Sequence, residues 1–291
     1  MLFAVIVCAG FLNSAATAAQ QVTTQQVATQ QPAKAKNTAT RLTYSVYAGG
    51  VYVLAATLDI SQKSGLYGLD LRAQTFGILG NLAPWSGEFK TRGVSQKAPL
   101  PLTYRSASLW KGETETKTYR YDGAGHFKSY QVTQSKLDPA TKKTTVIDTT
   151  PAKIDPLLTR NTTDILSAAW DVMLNLPGSQ ECAGESLIFD GDRSFTIKFH
   201  SSKPDMLAFS KYNLYHGSTI SCQVEIIPAQ GKWRKKPRGW LSIQEQGRQK
   251  GALPTIWFAP LKGSNYYVPV KILVHTDYGP LIMHLSGAVT K

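Results

Sequence analysis

The 291-residue chain is short of acid: 19 Asp and Glu stand against 32 Lys and Arg, a formal charge of +13. That balance argues against a self-repelling acidic tail protein and for anionic partners. Cysteine is scarce as well, with Cys8, Cys182 and Cys222 the only three. Three thiols cannot staple a multi-disulfide scaffold or fill a four-cysteine zinc site, and no histidine stands at ligand spacing beside them. No run reaches the ~18 uninterrupted apolar residues of a membrane-spanning helix. Several chemical signatures are missing too. There is no Gly-x-Ser-x-Gly elbow, His-Glu-x-x-His pair, phosphate loop or Gly-x-Gly-x-x-Gly turn. The five histidines, His126, His200, His216, His275 and His284, sit in strand-like or turn-like surroundings. The expectation is a non-enzyme with no catalytic residue, no cofactor and no metal.

What is present begins with an apolar run from Leu2 to Leu12, followed by Ala16-Thr17-Ala18, a small-x-small pattern suited to signal peptidase. Residues 1–19 therefore read as an export signal. No Lys or Arg precedes the run, so the basic n-region, or the true start, is expected upstream. Cys8 lies in mid-run behind the bulky Val5-Ile6-Val7 and does not resemble a lipid-anchor site. Cleavage would leave Cys182 and Cys222, an even count that in an oxidising compartment implies a disulfide. Such a bond closes a loop of about forty residues, worth about 4 kcal/mol in the chain-entropy model. Two separate thiols, or a metal pair, are the alternatives.

Residues 20–40, rich in Gln, Thr and Ala and lacking any aromatic, read as a tether that cannot fold alone. From Arg41 the texture becomes short alternating segments: Leu42, Tyr44, Val46 and Ala48 share one face, followed by "VYVLAATLDI", "YGLDLRAQTFGIL", "LPLTYRSASLW", "ETKTYRY" and "FKSYQVTQ". Asp122-Gly123 and Asp190-Gly191 mark hairpins. One segment differs: "NTTDILSAAWDVMLNLPG" places Ile165, Ala169, Val172 and Leu176 at helical spacing, with Leu166 and Met173 widening the stripe. Thr162 or Thr163 is the expected cap, Asp164 sits in the first turn, and Pro177-Gly178 ends the helix. The closing "YYVPVKILVHT" and "LIMHLSGAV" predict a hairpin with Thr276 opposite Leu281. Val268, Val270, Ile272 and Val274 then share a face with Met283 and Leu285. His275 and His284 become diagonal neighbours on the other face, a two-histidine half-site lacking a carboxylate, for which a partly solvated sheet face is the simpler reading. The total is roughly a dozen strands and one firm helix. Residues 41–291 form either one large all-β domain or two β lobes flanking the helix.

The segment "GKWRKKPRGW", 231–240, concentrates charge: Lys232, Arg234, Lys235, Lys236 and Arg238, with Trp233 and Trp240. Its glycines and Pro237 predict an exposed loop between strands. From Pro228 to Lys291 ten basic residues face two acidic ones. Basic clusters with aromatics suit nucleic acid in a cytoplasm, but export removes that partner. An envelope offers lipid phosphates and polymer carboxylates instead. These seven side chains are the candidate anion-binding set, and a solvated loop serving solubility is the alternative.

"YSVYAGG", "YGLDLRAQTFGILGNLAPWSGEFKTRG", "PLTY", "FDGDRSF", Cys222 and "YVPVKILVHTDYGPLIMHL" together resemble the bacterial periplasmic family catalogued as domain of unknown function 3108. The resemblance extends from about Leu42 to Val289 and rests on Gly, Pro, Trp and aromatic positions. It implies a mostly β protein in the periplasm of a Gram-negative bacterium: a large curved antiparallel sheet, half-barrel or spiral, with one principal α-helix packed against it. It assigns no biochemistry. The expected function is non-catalytic binding of an envelope component (anionic lipid, lipopolysaccharide or cell-wall polymer) or of a protein partner, with no oligomeric state implied. An acyl-chain carrier and, less directly, an envelope hydrolase are the competing expectations.

Overall fold

The computed structural model describes residues 38–290 apart from 97, 138–140, 142, 203, 234–239 and 278, and only the backbone of 137 and 240–243. The expected signal, 1–19, and residues 20–37 of the expected tether lie outside the described residues. Thr38–Thr40 are already strand, and Thr40 is buried opposite Ile60.

Eight strands come first: β1 (Thr38–Ala48), β2 (Val51–Lys63), β3 (Leu66–Thr75), β4 (Trp85–Val94), β5 (Leu100–Trp110), β6 (Glu113–Tyr121), β7 (Phe127–Leu137) and β8 (Thr144–Asp148). A short helix, α1 (Gly77–Leu82), lies between β3 and β4. Next come α2 (Pro156–Thr159), α3 (Ile165–Ser179), β9 (Gly184–Phe189), β10 (Arg193–Ser201), β11 (Asp205–Leu207) and β12 (Gly217–Gly231). The chain closes with α4 (Trp240–Gln249), β13 (Thr255–Pro260), β14 (Tyr267–Thr276) and β15 (Gly279–Thr290). The strands pair antiparallel in one sheet of order β8-β7-β6-β5-β4-β3-β2-β1-β15-β14-β13-β12-β10-β9, with β11 on β12. Two meanders are thus joined where β1 meets β15, so a single sheet runs on both sides of the helix.

The sheet is open, with β8 and β9 at its ends, yet it curls. Phe189 of β9 packs edge-on to Tyr119 of β6 and Tyr130 of β7, with ring centres 6.0 and 5.5 Å apart. Gly191 in the β9–β10 turn has φ 108°, and a Cβ there would lie 2.1 Å from the Tyr130 hydroxyl. Only glycine fits both the backbone and the contact. The Asp190-Gly191 hairpin stands as expected. At Asp122-Gly123 the positive φ belongs instead to Gly125, because Asp122 Oδ1 accepts from the amides of Ala124 and His126 and sets a longer turn.

The inner face follows from the alternation: Leu42, Tyr44, Leu58, Ile60, Tyr67 and Leu69 are buried, while their neighbours face out. α3 lies against this face. Trp170, with none of its surface exposed, stacks on Tyr67 at 6.0 Å and meets Tyr266 edge-on at 4.9 Å. Val172, Met173, Leu176 and Leu166 are buried with it, but Ile165, expected in the stripe, is 41% exposed. The cap is Asp164, not Thr162 or Thr163. Asp164 Oδ1 accepts from the amides of Leu166 and Ser167, while Thr162 donates to the Thr159 carbonyl and the Thr163 amide is bonded to Leu187. Pro177-Gly178 does not end the helix. Pro177 lies within it, and Gln180 at φ 53° caps it. A proline so near the C-terminus sacrifices only one intrahelical bond.

In the last hairpin Thr276 pairs with Gly279 and Val274 with Leu281, a slip of two from the expected register. An even slip keeps each residue on its face, so Ile272 still faces inward beside Met283. It does separate the histidines: His284 lies opposite Lys271 and His275 opposite Pro280, so they are not diagonal neighbours. The "FGIL" tail of the third segment, expected as strand, is mostly α1.

Candidate functional site

Cys182 and Cys222 form the expected disulfide, both fully buried, with Cα atoms 5.5 Å apart. The bond ties the loop after α3 to the middle of β12, so it is structural.

The basic segment connects β12 to α4, a strand to a helix rather than strand to strand. Arg234, Lys235, Lys236 and Arg238 lie outside the described residues, as does the side chain of Trp240. Lys232 is exposed. Trp233 is engaged: its Nε1 donates to the Gln230 carbonyl at 3.1 Å, Arg193 lies over its ring at 4.3 Å, and Phe195 meets it edge-on. Trp233 therefore anchors the start of the segment to β10.

Histidines and carboxylates are dispersed. Glu225 accepts from His200 Nε2 at 2.9 Å and also bonds Arg248 of α4, an ion-pair cluster on the outer face. His284 stacks on Tyr212 and is edge-on to Tyr47; burial and neighbouring Lys271 push its pKa down. Among the described residues no three His, Cys, Asp or Glu side chains are grouped to hold a metal. Among the described residues Asp164 is the one deeply buried acid with a raised pKa, to about 6, because burial outweighs the hydrogen bonds from Ser167, Thr91 and Leu166. Those bonds hold it as a helix cap facing Tyr67, Tyr104 and Tyr121, remote from solvent.

On the outer face, Arg41 lies opposite Asp59 and Arg72 opposite Glu88, with Asp59 and Arg72 diagonal to each other across β2–β3. Arg41 forks onto Asp59 at 2.6 and 3.0 Å, Arg72 bridges Asp59 and Glu88, and Lys90 and Arg105 complete the row. Each exposed pair adds little stability. Four bases meet two acids in this row, so it keeps a net positive charge.

Sequence reasoning missed the unusual surface altogether. Thr75 clamps the β3–β4 connection: its hydroxyl accepts from the Trp85 amide at 2.9 Å and reaches the Ala83 carbonyl at 3.1 Å. Gly77 at φ 59° makes the entry turn. The helix so closed buries nothing. Ile78 and Leu82 stand 70% and 80% exposed, with Phe76 and Val51 about half exposed beside them. Behind them runs a line of rings: Phe76 to Tyr52 at 4.6 Å, Tyr52 to Tyr47 at 5.5 Å, and Tyr47 to Tyr212 at 5.1 Å. From Ala73 to Gly87, and from Ala48 to Leu58, the chain carries no charge, and the adjoining Met206–Leu214 carries only Lys211. A short helix ordinarily buries its apolar side. Here the apolar side is turned to water on a fastened loop.

The class of protein so defined is one of a curled, open antiparallel sheet wound on one principal helix and tied by a buried disulfide. The chain belongs to the family described as Protein of unknown function (DUF3108), whose model matches residues 43–286. No curated protein and no solved structure matches it.

Proposed function

We propose that this is an exported, non-catalytic protein of the periplasm that docks on an anionic lipid surface of the cell envelope. The observation carrying this reading is α1, a clamped helix with every apolar side chain outward, continuous with exposed aromatic rings and free of acid. Aliphatic side chains enter the hydrocarbon edge, tyrosines settle at the headgroup level, and cations add salt-sensitive attraction. Lys211 and the basic segment supply the cations. The buried disulfide accords with an oxidising compartment. An acyl-chain carrier would need an apolar void, whereas the inner face is filled by α3 and its open part carries Glu113, Glu115, Lys117 and Lys136.

The test is co-sedimentation with phosphatidylglycerol or phosphatidylcholine vesicles at low and physiological salt. Burying Ile78 and Leu82 at about 1.5 kcal/mol each makes the Ile78→Ser/Leu82→Ser variant bind about 100-fold more weakly to anionic vesicles. Changing Lys232, Arg234, Lys235, Lys236 and Arg238 to Gln should remove the preference for anionic lipid and its salt sensitivity. A parent that binds neither vesicle, or a serine variant that binds like the parent, refutes the reading.

A further inference from the structure

The part of the inner face that α3 does not cover is a groove of about 700 Å³ on β5, β6, β7 and β8. Its walls come from two cross-strand rows. Ser108, Glu115 and Gln134 lie opposite one another, and so do Trp110, Glu113 and Lys136. Both rows share one face because each strand contributes residues two apart, and neighbouring strands space the groups at ~4.8 Å. Trp110 is 45% exposed, with Lys111 Nζ 5.8 Å from its ring centre. Beside it Trp85, its partner in register, is fixed by an Nε1 bond to Ser108 at 3.0 Å.

Charge decides what such a groove accepts. Glu113 pairs with Lys136 at 2.8 Å and Glu115 with Lys117 at 3.3 Å, and Lys111 beside Trp110 leaves one base over. In a chain of net charge +13 this patch is only weakly charged. A weakly charged face has little preference for phosphate or nucleic acid, and its apolar groups, Trp110 and Ile147, line an open groove that does not enclose an acyl chain. Carboxylates offer several acceptor sites, Gln134 both donor and acceptor, and Ser108 a hydroxyl, in rows that could follow hydroxyl groups along a chain. An exposed indole supplies a flat apolar platform with a polar edge, suited to the C–H face of a pyranose ring. We propose that this groove binds a neutral oligosaccharide strand, with Trp110 as stacking platform and Glu115 and Gln134 as hydroxyl partners. The site is distinct from the lipid-docking surface around α1, and neither proposal requires the other.

Isothermal titration and tryptophan fluorescence of the intact protein, with chitohexaose and maltohexaose as β- and α-linked probes, test it. The parent should bind at least one probe at submillimolar concentration with a blue shift of the emission. Trp110→Ala should weaken binding at least about tenfold and Gln134→Ala by about threefold or more, both with unchanged unfolding temperature and vesicle binding. Heparin should not compete. The proposal is overturned if neither probe gives heat or a spectral shift up to millimolar concentration, if Trp110→Ala binds like the parent, or if heparin displaces the probe. Those results would leave the charged rows as inward-pointing protection for the β8 edge.

Discussion

Replacing Asp164 by asparagine separates two forces that oppose each other at one buried carboxylate. Four hydrogen bonds favour its ionised form: from the amides of Leu166 and Ser167 at 3.0 and 2.9 Å, and from the hydroxyls of Ser167 and Thr91 at 2.5 and 3.0 Å. Burial disfavours it, since Asp164 is 1% exposed and its further neighbours are Tyr67, Tyr104 and Tyr121, whose hydroxyls burial keeps neutral. Burial wins, and the pKa rises from 3.8 to about 6. The folded protein therefore holds this proton more tightly than the unfolded chain does. Between pH 3.8 and about 6 the native state binds more protons, so the contribution is fully present below pH 3.8 and is lost as pH rises through 6. At 1.36 kcal/mol per pH unit, that gap corresponds to about 3 kcal/mol.

Asparagine caps a helix as well as aspartate does and cannot ionise. Its amide can replace the carboxylate because the Ser167 and Thr91 hydroxyls can rotate to accept. In urea titrations at pH 4, 5, 6 and 7.5, the stability difference between Asp164→Asn and parent should move in the variant's favour by about 2.4 kcal/mol from the lowest pH to the highest, the rest of the gap falling below pH 4. Taking the difference cancels the other titrating groups. A difference that stays flat, or moves toward the parent as pH rises, would show that the hydrogen bonds outweigh burial and would refute the reasoning.

Two further expectations concern the frame. Denatured, unreduced protein beginning at residue 20 should contain essentially no titratable thiol, and changing Cys182 and Cys222 to serine should cost about 4 kcal/mol by denaturant unfolding. Val172→Asp puts an unpaired charge under the sheet and should cost more than about 3 kcal/mol; a variant as stable as the parent would mean that α3 does not pack there.

Much of this fold is local in origin, and that part was legible. Alternation of Leu42, Tyr44 and Val46 with polar neighbours identifies β1 and its buried face without any knowledge of its partners. The stripe through Val172 and Leu176 identifies α3, and the parity of the cysteines identifies the disulfide. The misreadings occur where a long-range contact overrides a local preference. Phe76–Leu82 has strand composition, but Thr75 bonding forward to Ala83 and Trp85 closes it into a helix. α4 was read past because its role is an unusual one. Gln244 donates to the Ile226 carbonyl and accepts from the Ile226 amide, replacing a neighbouring strand where β13 has left the edge of β12. No hydrophobic pattern announces a glutamine acting as a strand.

The candidate surfaces were less legible than the fold, for a reason the last hairpin makes concrete. Sequence pattern fixes which face a strand residue occupies, and that survived a register slip of two. It does not fix which residues are neighbours on that face, and the same slip parted His275 from His284. The groove has this character throughout. Ser108, Glu115 and Gln134 belong to three strands and become one row only when β5, β6 and β7 are paired in a particular register. α1 poses the converse difficulty: its residues are contiguous, but hydropathy assigns an apolar segment to the core. Its exposure follows from the curl of the sheet, which leaves the β3–β4 connection at a rim with nothing among the described residues packed above it. The net charge of +13 is the basis on which anionic surroundings are proposed for this chain. Where it would meet them depends on which apolar residues the finished sheet has no room to bury, and α1 is where that surplus collects.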